Sequence, residues 1–193
     1  MGEGNWEVIS RSKVLEHPFL SVTMERVRLP GGEVIDDWPI VAVRDYANVV
    51  VLNKAGQVMV LEGYKHGLGR SSWQMVGGYL EDGEDALAAI RRELLEETGY
   101  ASEHWQALGS FVVDANRRVN VGHFYLARQA RQVAAPNHDD LESFELRWCS
   151  LEEARQALLD GRVGIMSSAV NLALALLALG AGEPGVREPG AGS

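Results

Sequence analysis

The chain has 193 residues, a formal net charge of −9 and 46% apolar residues, enough for one domain with a small appendage around a buried core. The acidic balance argues against general affinity for nucleic-acid backbones, and no basic stripe interleaved with aromatics runs along the sequence. Cys149 is the single cysteine, which excludes an intrachain disulfide.

The start, MGEGNWEVIS, lacks the charged and apolar blocks of a secretion signal, so cytoplasmic residence is expected. From Trp6 to about Val43 the residues alternate as strands do, and PGGE at Pro30 to Glu33 signals a turn between two such runs. This predicts an N-terminal β-hairpin appendage over residues 1–43.

A second region, 44–180, follows. NVVVLNKAGQVMVLEGY gives two strand candidates joined by a turn at Lys54 to Gln57, and SSWQMV reads as another short strand. Strong helix formers run from Glu84 to Glu97, with Gly99 placed to stop them. HWQALGSFVVD, VNVGHFYLARQ and FELRWCS read as strands, LEEARQALLDG as a helix, and a last helix runs from about Ile165 to Leu179. The run from Ala169 to Ala181 would span only about 20 Å as a helix against a hydrocarbon core of about 30 Å, so it suits a core or interface and not a membrane. Residues 181–193 are rich in Gly and Pro and predict a disordered tail.

The helix after Glu84 carries the chemistry. At 100° per residue Leu87, Ile90 and Leu94 form an apolar stripe, and Glu93, Glu96 and Glu97 share an adjoining sector of about 100°. Like charges at this spacing repel by a few tenths of a kcal/mol per pair, a cost that a divalent cation reverses. Hard oxygen ligands favour Mg²⁺ or Mn²⁺, which leaves coordination sites for water and substrate phosphates. The alternative is a solvated helix face with Arg92 and Glu96 as an ordinary i, i+4 pair.

The wider spacing decides between them. Gly78, Glu84, Arg92, Glu93, Leu94, Glu96, Glu97 and Gly99 fall in register with Gly, five residues, Glu, seven residues, Arg-Glu-aliphatic-x-Glu-Glu-x-Gly, and the segment resembles the Nudix box. Only Tyr100 departs, where an aliphatic residue is usual. The resemblance implies an α/β/α sandwich with a mixed sheet. It also implies Glu93, Glu96 and Glu97 as ligands of divalent ions, with Glu97 the bridging ligand and the Gly77 carbonyl a further one. Glu84 and Arg92 would support them, since an arginine fork can hold a carboxylate in one orientation.

Bound metal lowers the pKa of a water that attacks one phosphorus while the other phosphate leaves. A further carboxylate usually orients or deprotonates that water, and the loop NHDDLESFE offers Asp139, Asp140, Glu142 and Glu145. Similarity to ADP-ribose pyrophosphatases favours Glu142, with Asp140 the other choice.

The stretch LEGYKHGLGRSSWQMVGGYLEDGE is similar to the segment before the box in those pyrophosphatases, which would bring Lys65, His66 and Arg70 to phosphate or ribose. Gln74 and Val76 depart from the glutamate and proline usual there. Such enzymes use an N-terminal appendage to dimerise and to stack the base, a layout that Trp38 with Phe19 or Leu20 opposite would fit. Stacking is worth about 1–3 kcal/mol and tolerates any base; the alternative for Trp38 is hairpin packing. Asp114, Asn116, Arg117 and Arg118 suit ribose hydroxyls or phosphate, or form a solvated loop. His123, inside an apolar strand, reads as a core side chain.

The expectation is a Mg²⁺-dependent Nudix pyrophosphohydrolase, a homodimer, cleaving ADP-ribose or another nucleoside diphosphate sugar to a nucleoside monophosphate and a sugar phosphate. Hydrolysis of dinucleoside polyphosphates or oxidised nucleotides, and a non-catalytic nucleotide-sugar sensor, are the competing functions.

Overall fold

The computed structural model describes residues 5–136 and 143–180. The first three strands, β1 (Glu7–His17), β2 (Leu20–Arg28) and β3 (Val34–Val43), form an antiparallel sheet in the order β1-β2-β3. The turn at Pro30 to Glu33 is present, with Gly32 at φ +90° and the Leu29 amide bonded to the Glu33 carbonyl at 2.8 Å. A second hairpin, closed by Pro18 and Phe19 between paired His17 and Leu20, adds a strand to the expected two. It carries no Gly or Asn turn signal, which is why alternation alone fuses β1 and β2.

The larger sheet has eight strands: β4 (Tyr46–Asn53), β5 (Val58–Lys65), β6 (Arg70–Gln74), β7 (Val76–Tyr79), β8 (Tyr100–Ala101), β9 (His104–Val112), β10 (Val121–Gln132) and β11 (Phe144–Cys149). Its path is β11-β5-β4-β10-β8, with β6 paired to β5, β7 to β4 and β9 to β10. Among the described residues only the β4–β10 pair is parallel, so the sheet is mixed, and three α-helices complete the fold: α1 (Ala86–Thr98), α2 (Leu151–Leu159) and α3 (Met166–Gly180).

The run Asn48 to Leu52 on β4 is buried on both faces, as expected of a strand covered by helices on each side. Val49 and Val51 pack with Met59, Leu61, Ile90 and Leu94 under α1. Val50 and Leu52 pack with Val58, Val60, Leu126 and the Ala154 and Leu172 side chains of α2 and α3. The result is an α/β/α sandwich carrying an N-terminal β appendage.

SSWQMV is not one strand. At Met75 the chain leaves β5, the partner of β6, and joins β4 as β7.

Helix α1 begins two residues later than the propensities predict. The Asp85 carboxylate accepts from the amides of Leu87 and Ala88 at 3.1 and 3.0 Å, and this short side chain is the better N-cap. Glu84 therefore lies in the loop. Gly99 ends the helix at φ 73° with its amide on the Leu95 carbonyl.

Candidate active site

Arg92 gathers the carboxylates. Its guanidinium meets Glu84 through two bonds of 3.1 and 3.2 Å, Glu93 at 2.9 Å and Glu96 at 3.1 Å. Arg92 is held charged well above its ordinary range, chiefly by the Glu84 hydrogen bonds. Glu84 in turn is held below the usual carboxylate range, first by Arg92 and then by the Glu81 backbone amide at 2.9 Å. Glu97, half-buried, lies one residue beyond Glu96 on the same helix.

Gly78 brings the β7 backbone against this cluster, and Gly77 brings it against β4. A Cβ added at Gly78 would overlap the Glu93 carboxylate, and one at Gly77 would lie 2.6 Å from Asn48 Nδ2 and 2.9 Å from the Ala47 carbonyl oxygen. Only glycine permits so close an approach at both positions. Among the described residues, no three acidic, histidine or cysteine side chains already surround one point; Arg92 is where Glu84, Glu93 and Glu96 meet. The donor set, carboxylate oxygens from one helix face and the adjacent backbone carbonyl of Gly77, is nonetheless all hard oxygen and fits Mg²⁺ or Mn²⁺.

Gly77 and Gly78 also line a cleft of about 760 Å³. Its walls come from Tyr46 to Asn48, from Phe111 to Val113, from Val119 and Asn120, and from the start of α3 at Ile165 to Ser168. The lining is mainly apolar and aromatic with a few polar groups, the usual make-up of a small-molecule site. Tyr46, raised above the ordinary tyrosine range by burial and then by Tyr79, stays a neutral phenol there. Lys65 reaches this cleft.

Other sequence-predicted residues lie elsewhere. Arg70 donates to the carbonyls of Ser71 and Gly161, both at 3.1 Å, and lines a separate 290 Å³ cleft with Arg162 and Trp73. His66 sits in an exposed 3-10 turn, His66–Leu68. Arg117 pairs with Asp114 at 3.0 Å, while its carbonyl accepts from the Val41 amide at 2.9 Å. His123 accepts or donates at Nδ1 to Ser110 Oγ at 2.8 Å. Glu145 bonds Arg147 at 3.0 Å on β11. Asp139, Asp140 and Glu142 fall outside the described residues.

Trp38 meets neither Phe19 nor Leu20. Its indole N–H donates to the Asn116 carbonyl at 3.0 Å, and its ring meets Trp6 edge-on at 5.0 Å. Phe19, 71% exposed, closes one end of the sheet, while Trp38 sits mid-strand opposite Glu25 and Leu20 pairs with Val43. Five residues of strand, about 17 Å, separate Trp38 from that end. Sequence reasoning missed Trp6, whose place depends on the unforeseen strand β1, and the cleft residues Tyr46, Phe111, Asn120 and Phe124, which only the packed sheet brings together.

The sandwich, the acid-bearing helix and the glycine approach define a Nudix-type hydrolase. The description "NUDIX domain" matches residues 42–166, and "Nucleoside diphosphate sugar hydrolase N-terminal domain" matches residues 6–41. The chain belongs to the NUDIX domain family. Among curated relatives it is 32% identical to a CMP-5'-(N-acetyl-N-hydroxy-3-aminopropyl)phosphonate hydrolase of Streptomyces rubellomurinus, over 84% of this chain and 77% of the relative. It is 28% identical to an ADP-ribose pyrophosphatase of Mycobacterium tuberculosis, over 84% and 79%. A crystal structure of an ADP compounds hydrolase shares the fold with a TM-score of 0.80 at 15% identity, over 94% of this chain and 98% of that one.

Proposed function

We propose that this enzyme is a Mg²⁺-dependent pyrophosphohydrolase, with Mn²⁺ as a substitute, that cleaves ADP-ribose or another nucleoside diphosphate sugar to a nucleoside monophosphate and a sugar phosphate. The observation that carries this is the contact of the Gly78 backbone with Glu93 where Gly77 and Gly78 line the 760 Å³ cleft. The match of residues 6–41 to the N-terminal domain of nucleoside diphosphate sugar hydrolases supports the substrate class, as does the ADP-ribose pyrophosphatase relative.

In this reading Glu93, Glu96, Glu97 and the Gly77 carbonyl would hold the metal, which when bound would supply charge neutralisation for the diphosphate and a lowered pKa for water. Arg92 and Glu84 orient the ligand carboxylates. Glu142, or Asp140, accepts a proton from the water as its oxygen bonds to one phosphorus and the bridging P–O bond breaks, the other phosphate leaving as an anion. Lys65, which lines the cleft, would attract the phosphates; His66 and Arg117 would turn towards the substrate from outside that lining, and Arg70 would have to release Gly161 to join them.

Residues 1–43 form the appendage for dimerisation and base binding, 44–180 the hydrolase and 181–193 a tail. The exposed Val14, Leu15 and Phe19 of the appendage favour burial against a second copy. Because Trp38 lies five residues of strand from the end that Phe19 closes, a base stacked between them would take one ring from each copy. No nucleic-acid or membrane partner is proposed; no described helix is long and apolar enough to cross a membrane. Cytoplasmic residence accords with that reading.

The relative at 32% identity acts on a cytidine nucleotide conjugate, and this favours a second reading, hydrolysis of a CMP conjugate by the same residues. Incubation with Mg²⁺ and a panel of ADP-ribose, UDP-glucose, a CMP-linked phosphonate, diadenosine polyphosphates and oxidised nucleoside triphosphates, with product identification, tests both. The expected outcome is release of a nucleoside monophosphate, abolished by Glu97→Gln; no turnover of any member would overturn the enzymatic reading.

A further inference from the structure

Helix α3 reads MSSAVNLALALLALG, an almost wholly apolar segment in which Asn171 is out of place. It is 0% exposed. Its Nδ2 donates to Asn48 Oδ1 at 2.8 Å, and its own Oδ1 is buried with no hydrogen-bond partner among the described residues. Burying a polar group in this state costs stability that an aliphatic side chain in the same space would not.

What the asparagine reaches explains its presence. Asn48 stands directly opposite Gly77 in the β4–β7 ladder, its amide nitrogen packed on the Gly77 Cα. That nitrogen also approaches the Met75 carbonyl at 3.5 Å. One helical turn before Asn171, Ser168 Oγ accepts the Met75 amide at 3.0 Å. Met75 is where the chain changes partner between β6 and β7, so its backbone groups fall outside both ladders. Side chains from α3 and β4 take their place. The helix thus grips the strand switch just ahead of Gly77, which packs on Asn48, and Gly78, which presses on Glu93.

We propose that Asn171, acting through Asn48 and together with Ser168, is a positioning residue for the metal site, fixing the Gly77–Gly78 backbone relative to the α1 carboxylates. Groups behind metal ligands commonly govern affinity by about 10–100-fold, and placement within about 0.5 Å is the tolerance such sites require. The proposal rests on the metal reading above.

The test is Mn²⁺ binding to the full-length protein without substrate, followed by the electron paramagnetic resonance signal of free Mn²⁺. Asn171→Leu should weaken binding about ten-fold, and Ser168→Ala in the same direction by less. Leu172→Ala, a buried change on the same helix outside the network, should lower the melting temperature and leave Mn²⁺ affinity where it was. If Asn171→Leu does not fold, Ser168→Ala carries the comparison. Unchanged affinity in the network variants, or an equal loss in Leu172→Ala, would overturn the positioning role. A parent protein that binds no Mn²⁺ would overturn the metal reading and the proposal with it, an outcome visible before any variant is made.

Discussion

Gly78 and Glu93 touch backbone to carboxylate: at that point the Glu93 side chain fills the space that a Cβ on strand β7 would need. Gly78→Ala must therefore push the strand or the carboxylate aside. Overpacking of this kind costs about 1–3 kcal/mol. The expected result is a lowered melting temperature together with a loss of turnover larger than the stability change explains, read from a thermal melt and kcat on one preparation.

Arg92→Lys keeps a positive charge and loses the fork. A lysine cannot hold both Glu84 oxygens while also reaching Glu93 and Glu96. Metal affinity should fall about 10–100-fold, the range for supporting contacts of metal ligands. Isothermal titration with Mn²⁺ measures it, and retained affinity would show that the fork is dispensable.

Trp38 has two separable uses. Trp38→Phe retains a ring for stacking and deletes the N–H that holds Asn116, a bond worth about 0.5–1.5 kcal/mol. Trp38→Ala deletes both and should cost about 1–3 kcal/mol more in substrate binding. KM should rise in that order, parent, Phe, Ala, with kcat nearly constant; equal KM for Phe and Ala would remove the stacking role.

Burial lifts the Cys149 thiol from 9.0 to about 11. Raised above its unfolded value, the neutral thiol contributes stability that is complete below pH 9 and is lost as the pH climbs towards 11. At pH 8 the native protein should resist a thiol-specific disulfide reagent, and the same protein in denaturant should react fully with one equivalent. Rapid native reaction would contradict the burial.

Much of this site is legible before folding because its signals are local. Gly78, Glu84, Arg92 to Glu97 and Gly99 lie on one loop and one helix, where spacing alone sets direction, and the Gly99 stop follows from backbone sterics. The sheet-and-helix order is readable for the same reason. The break at Met75 is not, because it depends on which strands receive β6 and β7 across the sheet. The place of Arg70 is not legible either, because a surface arginine finds the nearest carbonyl, here that of Gly161, and nothing in KHGLGR says where that carbonyl lies. Trp6 was invisible as the neighbour of Trp38 until the His17–Leu20 hairpin folded β1 back.

The segment between β9 and β10 is bonded to β3 at three points: Asn116 from Trp38, Arg117 from Val41 at 2.9 Å and Val119 from Val43 at 3.0 Å. Val119 itself and the following Asn120 bound the cleft. The appendage thereby touches the wall of the cleft at a place apart from the glutamates of α1. A change in the first forty or so residues can reach that wall through these three hydrogen bonds without altering one carboxylate, so the two parts of the chain are free to vary separately.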